Sequence, residues 1–180
     1  MTVLNVKRPT RRRTGYIGAK GFYYDTDNRE VTQYYPRPDY LVAQYYSWHH
    51  LDAGDRAYWD RPGASPDYDW PFESPLPDVF FDGLTYAWSN QRARHSIAAD
   101  TLVFEIYQPR WVYIFWPNGE TLPSWMGGFA DISKSIRVNN GASPWLQLDV
   151  YQKLYSAGII RLGGAEGAAY NYVPALQPSY

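Results

Sequence analysis

The sequence predicts an all-β protein: an antiparallel β-sandwich of the jelly-roll or immunoglobulin-like kind, preceded by an extended basic N-terminal arm. Three observations lead there. Short apolar or alternating runs recur at roughly ten-residue spacing with turn residues between them. Aromatic residues make up 18% of the 180 positions, beside 14 glycines and 14 prolines, a balance that suits strands and turns rather than helices. Heptads are absent and no apolar stretch approaches about 18 residues, which excludes a coiled coil and a membrane-spanning helix. The length fits one ordinary domain with an extension.

In chain order, residues 1–21 form the arm, 22–50 an aromatic-rich connecting segment, 51–175 the sandwich module and 176–180 a tail. Phe22-Tyr23-Tyr24, Val31 to Tyr35 and Tyr40 to Trp48 are β-prone, and Pro36-Arg37-Pro38 interrupts them. Five prolines between 61 and 78 (Pro62, Pro66, Pro71, Pro75 and Pro77) leave that stretch as loop or sheet edge. From Asp82-Gly83 onward the strands are cleaner. Thr101 to Tyr107 alternates, with Leu102, Phe104 and Ile106 on one face. Trp111 to Trp116 is apolar on both faces, as a central strand is. The link Gln108-Pro109-Arg110 is expected to join these two runs as a hairpin. Ser135 to Val138, Leu146 to Tyr151, Gly158 to Leu162 and Tyr170 to Val173 follow, separated by Asn139-Asn140-Gly141 and Gly163-Gly164, the latter expected as a tight turn needing positive φ.

The charge is unevenly placed. Residues 1–20 hold six basic and no acidic residues, whereas the remainder holds eleven basic and eighteen acidic ones. Lys7, Arg8, Arg11, Arg12 and Arg13 repel one another and cannot enter a core, so the arm is extended. It is expected to bind a partner: an acidic neighbouring subunit first, phosphates less so, with a solvated tail as the plain alternative. No apolar segment follows the basic residues as a secretory signal requires.

Catalytic motifs are missing. Without cysteine there is no disulfide, thiolate metal site or cysteine nucleophile. The histidines are His49, His50 and His95; His49-His50 on a strand point to opposite faces, and His95 meets Glu105 or Asp100 only by an accident of folding. Asp67-x-Asp69 is a weak calcium candidate beside the plainer solvated loop. Neither a metal nor any other cofactor is expected. More telling are aromatics beside amides and carboxylates, the combination that stacks on sugar rings and orders their hydroxyls. Two sets qualify: Tyr86, Trp88 and Asn90, spaced to share a strand face, and Trp116, Asn118 and Glu120 in Trp116-Pro117-Asn118-Gly119-Glu120. Burial in the sandwich or at a subunit contact is the competing explanation for their rings.

Residues from about 51 to 173 resemble a known family through Gly54-Asp55, Tyr58, Asp60-Arg61, Pro77, Phe81-Asp82-Gly83, Val112-Tyr113, Leu122-Pro123-Ser124-Trp125, Phe129, Asp131, Tyr151, Lys153, Ala157-Gly158 and Leu162-Gly163-Gly164. They are similar to the β-sandwich accessory modules of secreted bacterial polysaccharide lyases and glycoside hydrolases. The resemblance implies a non-catalytic module. It departs from the family pattern at Phe115 to Glu120, where Ala-Tyr-Asp and a nearby arginine are usual, and at Gln91-Arg92, where an acidic-basic pair is usual. In the matching segments, Pro123 is expected to preset a turn, Trp125 to cap one end of the sandwich, and Asp60-Arg61 to brace loops.

A nearly stand-alone module with a basic arm, no export signal and surplus aromatics points to a non-enzymatic structural component of a bacteriophage particle, such as a capsid decoration, collar, tail or fibre protein. Made in the host cytoplasm and carried in the virion, it would contact other virion subunits (copies of itself, capsid or tail protein) and a host surface glycan, with nucleic acid disfavoured and no membrane contact. A free carbohydrate-binding module or lectin is the alternative, and a small hydrolase or lyase lacks a constellation to support it.

Overall fold

The structure is a computed structural model that describes residues 15–17, 22–25, 31–34, 48–58, 70–87, 89, 94–106 and 108–177. It is an antiparallel β-sandwich. Eleven strands are described: β1 (Gly15–Ile17), β2 (Phe22–Asp25), β3 (Val31–Tyr34), β4 (Trp48–His50), β5 (Thr85–Ala87), β6 (Leu102–Ile106), β7 (Arg110–Pro117), β8 (Ala130–Val138), β9 (Leu146–Tyr155), β10 (Gly158–Leu162) and β11 (Val173–Leu176). One sheet runs β1-β2-β3-β6-β10 and the other β4-β5-β11-β7-β9-β8. The sheets thus draw strands from before residue 51, the stretch assigned from sequence to the arm and the connecting segment. The basic residues Lys7, Arg8, Arg11, Arg12 and Arg13, the pair Asp60-Arg61 and Asp67-x-Asp69 lie outside the described residues.

The alternation of β6 is realised: Leu102, Phe104 and Ile106 are fully buried. Strand β7 is also the central strand that its apolar character predicts, bonded to β11 on one side and β9 on the other. The expected β6–β7 hairpin is not formed. Strand β6 pairs with β3 and β10, so the short link at 108–109 crosses from one sheet to the other. The final strand begins at Val173 rather than Tyr170, because Asn171 and Tyr172 serve as hydrogen-bonding anchors ahead of it.

Two apolar layers flank the larger sheet. Its inner face, with Val112, Ile114, Trp116, Ala87 and Leu176, packs on Leu102, Phe104, Ile106, Ile160 and Leu162 of the smaller sheet. Its outer face presents Tyr86, Tyr113, Phe115, Val173, Leu148 and Val150 to Leu51, Tyr58, Trp70, Phe72, Phe81 and Leu84. The described part of the proline-rich stretch therefore acts as a lid of irregular chain. Only isolated bridges, Arg56 to Pro71 and Phe72 to Val138, tie it into ladders. Lys134 of β8 fastens it further. Its ammonium bonds Asp78 and lies 5.5 Å from the centre of the Phe80 ring. That bond, then the Phe80 backbone N–H, holds the half-exposed Asp78 carboxyl below its usual pKa. On β8, an edge strand, the ladder register shifts between Asp131 and Ser135, an irregularity of the kind that discourages edge-to-edge pairing.

Gly163-Gly164 is not the positive-φ turn expected. Neither glycine has a left-handed φ. Both are small because something lies against them: a Cβ on Gly163 would fall 2.4 Å from the Trp125 ring, and one on Gly164 2.0 Å from the Ser96 carbonyl oxygen. Trp125, in the 3-10 turn Ser124–Met126 that follows Pro123, donates its indole N–H to the Gly164 carbonyl at 2.7 Å. It caps the end of the sandwich. Gly164→Ala should therefore lose about 1–3 kcal/mol by overpacking. Gly127→Ala, whose new Cβ would meet only the Ser124 carbonyl oxygen at 3.4 Å, should lose less. Equilibrium unfolding of the two variants checks the order.

Candidate functional site

The β8–β9 hairpin builds a groove. Register fixes its base: Arg137 lies opposite Gln147 and Val138 opposite Leu146. Because side chains alternate along strands, Ile136 and Val138 are buried on one face while Arg137 stands on the other with Gln147 and Asp149. The loop between the strands is shaped by its own side chains. Asn139 Oδ1 accepts the Gly141 N–H at 3.0 Å and Asn140 Oδ1 that of Ala142 at 3.2 Å. The Asn139 N–H bonds the Pro71 carbonyl at 2.9 Å, pinning the loop to the proline-rich lid. At the end of this loop stands Trp145, with 43% of its surface exposed.

A groove of about 810 Å³ opens here, lined by Trp145, Tyr170, Asn118, Arg137, Asn140 and Gln147 together with smaller loop residues. Asn118 enters from the turn after β7, whose Gly119 has a φ of 81°, and its N–H bonds the Gln147 carbonyl at 3.0 Å. Asp149 organises the polar wall. One carboxylate oxygen accepts the Asn118 amide at 2.7 Å and the other the Gln147 amide at 2.8 Å. Each amide thereby keeps its carbonyl oxygen available as an acceptor. Tyr170 is half-buried and braced by Trp70, ring centres 5.7 Å apart. Beyond Asp149 on the same strand face, Tyr151 has its pKa raised by burial, then by Asp131 and Asp149.

The sequence-derived candidates divide sharply. Tyr86 and Trp116 present no ring to solvent. Both are core residues, 0% and 1% exposed, with the Tyr86 hydroxyl donating to the Arg56 carbonyl at 2.8 Å and the Trp116 indole N–H to the Glu120 carbonyl at 3.2 Å. The burial alternative holds for these two rings, because both faces of their sheet are covered. Asn118 is exposed and lines the groove, while Glu120 is part-exposed and meets Trp116 through its backbone. Trp88 and Asn90 lie outside the described residues. Sequence reasoning missed Trp145, Arg137, Gln147 and Asp149. A signal for Trp145 was present: it follows Asn139-Asn140-Gly141 and Pro144, so it belongs to a turn rather than to a buried strand.

A second cluster was also missed. His50, Asp52 and Asp82 bring one ligand-type atom each within 4.8 Å of one another. His50 Nε2 lies 3.9 Å from Asp52 Oδ1, but its Nδ1 is buried without a hydrogen-bond partner. A metal-bound imidazole ordinarily donates its second N–H to an acceptor, and none stands here. The trio is an imidazole beside two partly exposed carboxylates. His95 is exposed, and Asp100 is engaged by Arg161 at 2.6 Å.

The two tryptophans should separate in stability. Trp116→Ala should lose about 3–5 kcal/mol, whereas Trp145→Ala should stay within about 0.5 kcal/mol of the parent. Chemical denaturation with a fluorescence readout distinguishes them.

No protein-family model matches the chain, and no curated protein matches it in sequence. Among solved structures it is similar to a beta-glucuronidase from glycoside hydrolase family 2, with a TM-score of 0.62 and 14% identity over 79% of this chain. The match takes in 14% of that much longer chain. The likeness is one of fold: this β-sandwich has a counterpart within a glycoside hydrolase.

Proposed function

We propose that the protein is a non-catalytic β-sandwich module that binds a polysaccharide in the groove at the β8–β9 hairpin. The observation carrying this reading is the half-exposed Trp145 on a hydrogen-bonded loop, beside the Asn118 and Gln147 amides fixed by Asp149. A sugar ring stacks its C–H face on an indole, while oriented amide oxygens accept its hydroxyl protons. Aromatic anchors with a few polar groups are the usual composition of a small-molecule site. The fold likeness to part of a glycoside hydrolase supports the substrate class. Against cleavage, no Asp or Glu is among the described residues lining the groove, whereas glycosidic hydrolysis ordinarily needs two facing carboxyl groups.

Glycan-array screening of the full chain followed by titration calorimetry tests this. Trp145→Ala should weaken binding of a hit by about 30-fold, as loss of a tryptophan anchor worth about 2 kcal/mol does, with an unchanged unfolding midpoint. Silence across plant, algal and bacterial polysaccharides would refute the reading.

The charge split supports a second reading, compatible with the first, in which the module is a component of a virus particle. The basic residues Lys7, Arg8, Arg11, Arg12 and Arg13 would grip an acidic neighbouring subunit and leave the groove outward. In that case the full chain should form an assembly in native mass spectrometry, and a chain starting at residue 15 should be monomeric. Equal mass states for the two would remove this reading.

A further inference from the structure

Among the described residues lining the groove, Arg137 is the one with a charged side chain, and that side chain has no ion-pair partner. Its backbone N–H and carbonyl are used, bonding Glu73 Oε1 at 2.8 Å and the Glu73 N–H at 2.9 Å, but its guanidinium forms no ion pair or hydrogen bond with any described residue. The carboxylates that approach this wall stay charged but make their hydrogen bonds to neutral donors rather than to the guanidinium. Glu73 accepts from the Arg137 backbone, and both oxygens of Asp149 hold the Asn118 and Gln147 amides. An unpaired guanidinium presents a planar fork of donors matched to a carboxylate. Register sets that fork directly across from Gln147, on the face where the amide oxygens await hydroxyl protons.

We infer that the saccharide is acidic: a uronate-bearing oligosaccharide whose carboxylate pairs with Arg137 while its hydroxyls meet Asn118 and Gln147. This rests on the groove being a saccharide site. The chemistry divides the work. Trp145 offers an uncharged stacking surface that any pyranose can use, whereas Arg137 discriminates by charge. A neutral chain would leave the guanidinium without its partner, and a sulfate ester would offer the same negative charge on a tetrahedral rather than planar group.

The experiment titrates the full chain with a uronate oligosaccharide, its methyl ester, a sulfated oligosaccharide of equal length and a neutral oligosaccharide. The acid should bind about tenfold or more tightly than its methyl ester, and added salt should narrow that gap. Arg137→Gln should abolish the preference, bringing acid and methyl ester to equal affinity with the unfolding midpoint unchanged, and Arg137→Lys should keep part of it. Equal affinity for acid and ester, or a preference that survives Arg137→Gln, would overturn the inference and leave the saccharide site standing. Preference for the sulfated chain over the acid would overturn the carboxylate assignment. If none of the four binds, and Trp145→Ala changes nothing, the underlying saccharide reading falls with it.

Discussion

The structure depends on burying both faces of one sheet. An antiparallel sheet in a small sandwich ordinarily has a wet outer face, and its strands then alternate apolar with polar residues. Here β7 places Val112, Ile114 and Trp116 against the smaller sheet and Tyr113 and Phe115 against the lid of irregular chain, with every one of them buried. That constraint accounts for an unbroken apolar run at Trp111 to Trp116. It also gives the proline-rich stretch a purpose. Proline and irregular backbone cannot extend a sheet, but they can carry Trp70, Phe72, Phe81 and Leu84 across one.

A double core also absorbs much of the aromatic content. Tyr58, Tyr86 and Tyr172 are buried whole, which is tolerable only because each hydroxyl donates to a carbonyl: Asn171, Arg56 and Gly163 respectively, at 2.7–2.8 Å. The bonds of Tyr58 and Tyr86 join segments far apart in sequence, so they locate the outer layer and the last strand as well as satisfying the rings. Edge-on ring pairs such as Phe72 with Tyr86 and Phe81 with Phe115 extend the same packing across the interface between lid and sheet.

What the sequence disclosed and what it concealed follow from this arrangement. Strand positions were legible, since alternation at Leu102, Phe104 and Ile106 and continuity at Trp111 to Trp116 are local patterns. Partnership was not. Gln108-Pro109-Arg110 looks the same whether it closes a hairpin or crosses between sheets, because the choice is made by distant strands β3, β9, β10 and β11. Glycine at 163 and 164 announced a constraint, yet its cause is the Trp125 ring and the Ser96 carbonyl, neither of them sequence neighbours. The site was half legible for the same reason. Asn118 was found in its turn, but Trp116 two residues earlier, read with it as a sugar-binding candidate, belongs to the buried two-faced strand. Trp145 carried the weaker local signal and the exposed ring.

On the proposed saccharide reading, rigidity is what would let so shallow a feature discriminate between ligands. A loop tip free to move would lose ordering entropy on binding. This one is fixed at several points: Asx turns at Asn139 and Asn140, the bond from Asn139 to Pro71, and the ladder closing at Val138 and Leu146. Asp149 completes the arrangement from within the sheet. Because its two oxygens accept from the Asn118 and Gln147 amides, it acts as a positioning residue for both of them. The lid therefore contributes twice, once by covering the outer face of the larger sheet and once by anchoring the hairpin that carries Trp145 and Arg137. A folding constraint and a binding surface thus share the same backbone hydrogen bond, from Asn139 to Pro71.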